Sequence, residues 1–302
     1  MKNNVFVRSN KSIKTISISR ISFMLPLIIY GFYKNGIYLY QNHLTSILGM
    51  FKPLVFIFGG AFIGFIINII YEKLIKKSKE KIIDCAFSSF HIEYGLILGM
   101  IVSINTNIIV FFLTTFIMLF ISKFFNNRIN IICLTFIIIY FISNYLNDYQ
   151  FLNRYELSKV FHLNVLDYMI GRGSSGIATS HILLIFVALV GLFMTNNNKT
   201  HISIVSIVIY ASLLCIYSII SHSNFFDIIL TNNNIFMLSI VSTDYVTSTY
   251  TRNGMFYYSL FIAILGFILY FINPVIALPI AILIVSLFNN LIDRKLGYKK
   301  ES

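Results

Sequence analysis

Two polar stretches and one isolated acid carry most of the chemistry this sequence can offer. The first stretch reads Ser242-Thr243-Asp244-Tyr245-Val246-Thr247-Ser248-Thr249-Tyr250-Thr251-Arg252-Asn253-Gly254. It gathers hydroxyls around one acid and one base, the composition of a polar pocket or of a solvated loop. A charge at the bilayer centre costs about 2.5–3.5 kcal/mol on insertion scales. Asp244 therefore sits at an interface or meets a partner, and Arg252 is the candidate partner. The second stretch, Gly171-Arg172-Gly173-Ser174-Ser175-Gly176, matches G-x-G-x-x-G. A dinucleotide site needs a preceding strand and an acid about 20 residues later. Here no acid follows within that distance. The stretch reads as a turn, or as an anion nest of successive backbone N–H groups at a helix start. The isolated acid is Glu93, beside His91 and Tyr94 in an apolar segment. At membrane depth it would be an ion or proton ligand. Near the basic residues 73–81 it would be an interfacial acid.

The rest of the chain must position these residues, and its composition names the solvent. Of 302 residues, 57% are hydrophobic and 11% charged, with a mean hydropathy of +0.81. A soluble domain is about 25% charged, so this chain cannot cover a globule with polar side chains, and disorder is excluded for the same reason. The expected fold is an all-α integral membrane protein of about ten transmembrane helices. The apolar segments fall near 21–40, 54–71, 92–104, 108–122, 130–146, 181–195, 202–220, 235–242, 257–272 and 275–290. The third and eighth are short and hold polar residues, as broken helices lining a site do. Their matching positions predict two inverted five-helix repeats. Gly60-x-x-x-Gly64 allows close helix approach.

Charge placement sets the topology. With the N-terminus inside, 18 basic residues fall in inside groups and 5 in outside groups. That asymmetry predicts cytoplasmic N- and C-termini and an even number of spans. Nucleic-acid binding is not expected, because the basic clusters flank apolar runs. The divisions are 1–20, a basic N-terminus; 21–146, the first repeat; 147–180, an external connecting segment; 181–293, the second repeat; and 294–302, a basic C-terminus. Residues 157–170 read as an amphipathic surface helix. The first 20 residues are polar and basic, so no cleavable signal is expected. Cys85, Cys133 and Cys215 lie far apart without metal-ligand spacing. No metal site within this chain and no hydrolytic triad is expected.

At the first polar stretch the chain resembles a known family. Its members are RnfD, of the Rnf electron-transport complex, and NqrB, of the sodium-translocating NADH:quinone reductase. Thr243-Asp244-x-Val246-Thr247-Ser248, then Thr251-x-Asn253-Gly254, is similar to the family signature T-D-P-V-[ST]-A-S…N-x-G. Asn273-Pro274 and Asn289-Asn290-Leu291-Ile292-Asp293 resemble the turn and the A-N-x-x-x-P-L-x-D ending of its last helices. Gly171 to Ser180 resembles the glycine-rich opening of its second half, and Ser19 to Leu25 the start of its first helix. The likeness spans about 20–295. It implies a membrane component of an ion-translocating oxidoreductase complex, not catalytic alone and working with other membrane subunits. It also implies FMN esterified to a threonine in an S-G-A-T-type motif. The corresponding stretch, Asp148 to Asp167, contains no threonine, and Ser158 is its one hydroxyl besides tyrosine. Tyr245 replaces the signature proline. Covalent FMN is therefore not expected, and any FMN or riboflavin would be non-covalent.

The resemblance places Thr243, Asp244, Thr247, Ser248, Thr251 and Asn253 in a cytoplasmic-side cofactor pocket, and Gly171, Gly173 and Gly176 in an outer one. Glu93 and Asp244 would serve an ion pathway. The expected function is electron transfer coupled to cation transport in a bacterial cytoplasmic membrane. The alternatives are a non-redox transporter or channel on the same inverted-repeat scaffold, and a membrane component of a biosynthetic pathway.

Overall fold

The computed structural model describes residues 12–124, 129–147, 164–195 and 199–295. Among these residues every regular element is helical. Ten segments build the body. Helix α1 (Ile13–Phe32) starts at Ser12, whose hydroxyl accepts from Thr15 N at 3.2 Å. It runs on through a π-helical turn, Tyr33–Ile37, to Gln41. Helix α2 (Lys52–Ile70) has Pro53 in its first turn, where the missing N–H is not needed, and continues as a π-helix, Tyr71–Ile75. Then come α3 (His91–Ile101), α4 (Ile108–Ser122), α5 (Ile131–Asn147), α6 (Ile182–Met194) and α7 (Thr200–Ser221). The eighth segment, α8, is a turn of α-helix, Asn234–Phe236, followed by a π-helix, Met237–Val241. Helix α9 (Arg252–Tyr270) is capped by Thr251, and α10 (Ala277–Leu287) bends by 55° into Asn289–Lys295.

Four stretches are long and apolar enough to cross a membrane: Ile13–Gln41, Lys52–Ile75, Thr200–Ser221 and Arg252–Tyr270. The bent pair 277–295 makes a fifth if it is one span. Helices α3 to α6 are apolar but shorter than the roughly 20 residues a full crossing needs. The chain is thus an all-helical, multi-pass membrane protein. Helix α1 begins eight residues earlier than the apolar run at 21–40 suggests. The reason is Arg20, which reads as the edge of the run but lies inside the helix, 1% exposed. Of the expected surface helix at 157–170, Val165–Met169 is helical, and 157–163 lies outside the described residues.

Helix α3 is the centre of the packing. All eleven of its residues are buried, so it meets protein on every side. Its closest neighbour is α2. Gly60 and Gly64 of α2 lie against the backbone of α3, and a Cβ on Gly60 would run into the Gly95 carbonyl, and one on Gly95 into that of Gly60. Without a hydrophobic force between helices in lipid, such small-residue seams allow backbones to approach and gain dispersion contact. Helix α2 also packs on α4, and α4 on α5; α7 packs on α8 and α9, and α9 on α10. The most extensive packing between the first five segments and the last five is of α1 on α6 and of α5 on α10.

Gly95→Val should separate α2 from α3 and destabilise the protein by about 1–3 kcal/mol, read as a lower midpoint in thermal unfolding in detergent. Gly59→Ala should cost less, because its new methyl meets only the Phe112 ring, which can swing. Equal losses would contradict the backbone seam.

Candidate functional site

The polar residues converge where α3 begins and α8 ends. A π-helix closes its hydrogen bonds five residues apart, here with Ser242 N donating to Met237 O at 2.9 Å, and its last carbonyls need partners from elsewhere. Arg20 reaches in from α1 and donates from Nη2 to Ile240 O at 3.0 Å. The same guanidinium places Nε 2.8 Å from Glu93 Oε1, with both side chains within 2% of full burial. Thr243 Oγ1 also donates to Ile240 O, at 2.9 Å. One arginine therefore neutralises an acid of α3 and the negative end of α8.

Asp244 follows one turn later. Tyr94 of α3 donates its hydroxyl to Oδ1 at 2.8 Å. Thr247 donates to Oδ2 from its amide at 3.2 Å and its hydroxyl at 2.8 Å. Asn130, just before α5, donates to Val241 O and Thr247 Oγ1, each at 3.3 Å. Ser248 Oγ donates to Asp244 O at 2.5 Å. Lys199 then closes the loop from the N-terminus of α7. Its ammonium donates to Ser248 Oγ at 2.8 Å and Ser248 O at 3.1 Å, and lies 4.0 Å from the centre of the Tyr250 ring. Burial pulls the Lys199 pKa down to about 7, against the opposing attraction of Asp244 and Asp293. Asp293, after α10, accepts from Tyr250 N at 3.0 Å, Thr251 N at 3.1 Å and Thr251 Oγ1 at 2.6 Å.

The arrangement joins two buried acids, Glu93 and Asp244, with two buried bases, Arg20 and Lys199. Arg252, the base proposed for Asp244, is exposed at the start of α9; the arginine that enters the site is Arg20. Asn253 is also exposed. Thr243, Asp244, Thr247 and Ser248 are buried together, and Thr251 caps α9 at their edge. One carboxylate oxygen is left over: Glu93 Oε2 is buried and accepts no hydrogen bond among the described residues, as Thr249 Oγ1 and Asn289 Oδ1 nearby also find no partner there. No three His, Cys, Asp or Glu side chains converge as metal ligands among those residues.

The glycine-rich stretch sits at the opposite end of α3. Asn233, in the left-handed conformation (φ 63°), accepts from Gly176 N at 2.7 Å and from the Thr179 hydroxyl, and donates to Ile101 O at 2.9 Å. Ile177 N donates to Val102 O and Ala178 N to Met100 O, both at 3.0 Å. Gly171 adopts φ +88°, and a Cβ on Gly176 would strike the Ile101 backbone. Lys34 donates to Gly173 O at 2.8 Å and Asn35 to Ile177 O at 2.7 Å. The amides of Gly171, Arg172, Gly176, Ile177 and Ala178 all donate within the chain; Gly171 N and Arg172 N turn back to Tyr168 O and Asp167 O, while Ile177 N and Ala178 N tie the stretch to the end of α3. The two ends together fix a direction: α3 starts where α8 stops and stops where α8 starts, so the two broken helices lie antiparallel.

A family model matches residues 1–300. The chain belongs to the NQR2, RnfD, RnfE family. A comparison with curated proteins returns no match. As a member of the NQR2, RnfD, RnfE family, it is a membrane subunit of the ion-translocating type. Sequence reasoning missed Arg20, Asn130, Lys199 and Asn233 as site residues. Arg20 had a readable signal, since Ile16 and Met24 place it on the buried stripe of α1. Lys199 had none, because a single lysine between two apolar runs reads as a loop charge.

Tyr94→Phe removes a donor from a buried carboxylate and should cost about 1–3 kcal/mol, whereas Asn253→Ala at an exposed position should stay within about 0.5 kcal/mol. Unfolding midpoints of the two variants in detergent check the ranking, and equal effects would contradict the burial of the loop.

Proposed function

We propose that the chain is a membrane subunit of an electron-transfer complex in which the Arg20–Glu93 and Tyr94–Asp244 cluster belongs to the path of a translocated cation. Carboxylates this deep among apolar helices are costly, and a fully braced pair would serve stability alone. The observation that carries the reading is Glu93 Oε2, a buried carboxylate oxygen without a hydrogen-bond donor among the described residues. An oxygen of that kind is a ligand for a cation or proton passing between two broken helices.

The scaffold is read as two inverted five-helix repeats, 21–146 and 181–293, extended at the first helix to Ile13. Three features support it. Helices α3 and α8 are antiparallel and occupy third place in each half. The packing of α2 on α3 and α4 is repeated by α7 on α8 and α9. The halves meet through α1 with α6 and α5 with α10, the equivalent helices that a two-fold axis in the membrane plane would bring together. The basic-residue asymmetry supports cytoplasmic termini in a bacterial inner membrane.

A flavin fits the loop poorly. The hydroxyls of Thr243, Thr247, Ser248 and Thr251 donate to Ile240 O, Asp244, the Asp244 carbonyl and Asp293. They brace the loop rather than face a ligand. The stretch corresponding to the FMN-bearing segment has no threonine, and 148–163 lies outside the described residues. The same closed hydroxyls favour a second reading, a non-redox transporter on this scaffold. Visible absorbance of the purified protein separates the two: bound flavin supports redox chemistry within this chain, and colourless protein that takes up no added FMN supports the transporter reading.

The ion pathway has its own test. In proteoliposomes holding the assembled complex, Glu93→Gln and Asp244→Asn should each slow cation uptake about tenfold or more, equivalent to at least about 1.4 kcal/mol. Uptake at the wild-type rate in both variants would contradict the assignment.

A further inference from the structure

A second charged feature lies outside this site, on the turn that follows α2. Five lysines fall within nine residues there, Lys73, Lys76, Lys77, Lys79 and Lys81. The turn is built rather than loose. Lys77 adopts φ +54°, Ser78 N donates to Glu72 O at 2.8 Å, and the Lys73 ammonium donates to Ser78 O at 3.2 Å and to Glu80 O. The acids nearby are largely matched. Glu72 pairs with Lys76 at 3.0 Å, and Asp84 pairs with Lys14 of α1 at 3.0 Å. The Glu72 contact raises the Lys76 pKa. Glu80 is exposed among the lysines and remains an opposing charge. Lys77, Lys79 and Lys81 point into solvent.

Bulky apolar side chains flank these lysines on both sides. Leu74 and Ile75 close the span Lys52–Ile75, and Leu74 is 71% exposed. Ile82 and Ile83 follow, and Ile83 is 62% exposed. Residues that end a membrane span lie at the level where acyl chains give way to headgroups. Leu74, Ile75, Ile82 and Ile83 suit the acyl side of that boundary, and the lysines between them suit its polar side. An acidic protein surface would match the lysines but would leave the four apolar side chains in water.

We infer that the Lys73–Ile83 turn is a binding site for anionic phospholipid headgroups, with its apolar pairs seated in the bilayer edge and Lys77, Lys79 and Lys81 gripping phosphate. The site anchors the cytoplasmic end of α2, and through the Lys14–Asp84 pair the start of α1. Because α2 carries α3, lipid charge at this turn bears on the helix that presents Glu93.

The chain contains no tryptophan, so Ile83→Trp installs a single tryptophan, excited at wavelengths too long for the tyrosines, at an exposed position. The full-length variant is reconstituted in mixed phosphatidylcholine and phosphatidylglycerol bilayers in which one or the other lipid is brominated. Brominated phosphatidylglycerol should quench more strongly than brominated phosphatidylcholine at equal mole fraction. The difference should vanish in Lys77→Gln/Lys79→Gln/Lys81→Gln, which spares the bracing Lys73 and Lys76, and should shrink at high salt. Equal quenching by the two lipids with the lysines intact overturns the headgroup site. Absence of quenching by either lipid overturns the seating of the apolar pairs and leaves an acidic protein as the occupant.

Discussion

The buried pair between Arg20 and Glu93 is the interaction on which this structure turns. Taking two charges out of water costs several kcal/mol per ion, and that cost is recovered only when the remaining donors are satisfied. Arg20 offsets part of that cost by donating from Nη2 to the carbonyl end of α8 while its charge lies against Glu93. The guanidinium thereby links three elements, α1, α3 and α8, at one point. A lysine could neutralise Glu93 but lacks the planar fork that serves a carboxylate and a carbonyl at once.

That junction explains why two helices too short to cross a membrane are stable inside one. Backbone groups at a helix end must find partners, because lipid offers none. At the end where α3 begins, Arg20, Asn130 and the 242–251 loop supply them. At the other end, Asn233 and the amides of Ile177 and Ala178 cap α3, and Gly176 N holds Asn233 in place. The broken helices are therefore held at both ends by polar contacts and along their length by packing, most closely through the glycine seam with α2. Glu93 stands inside this frame with one oxygen still available. A rigid surround with an uncommitted carboxylate oxygen is a setting in which an ion can bind without refolding its site.

Much of the architecture was legible in the amino-acid sequence, for physical reasons. Apolar run length identifies membrane helices because the bilayer core has a fixed thickness. The short third and eighth segments were visible because polar residues interrupt them. Glu93 and Asp244 stood out because acids are rare in such runs. The partners were harder to read. Asp244 was matched to Arg252 by proximity along the chain, yet its donors are Tyr94, 150 residues away, and Thr247. Arg20 looked like the edge of a basic tail because hydropathy weighs a charge without asking whether another helix neutralises it. The hydroxyls of 243–251 suggested a ligand pocket, but the same residue types serve equally to satisfy the backbone of a helix break.

A double-mutant cycle on the Arg20–Glu93 pair tests the account most directly, measured as equilibrium unfolding in bicelles. The expected outcome is a loss of about 3–5 kcal/mol for Arg20→Met or Glu93→Met alone, each leaving one buried charge uncompensated, and a smaller loss for the two together. A double variant whose loss equals the sum of the singles would show that the two residues do not meet, and the junction of α1, α3 and α8 would have to be abandoned.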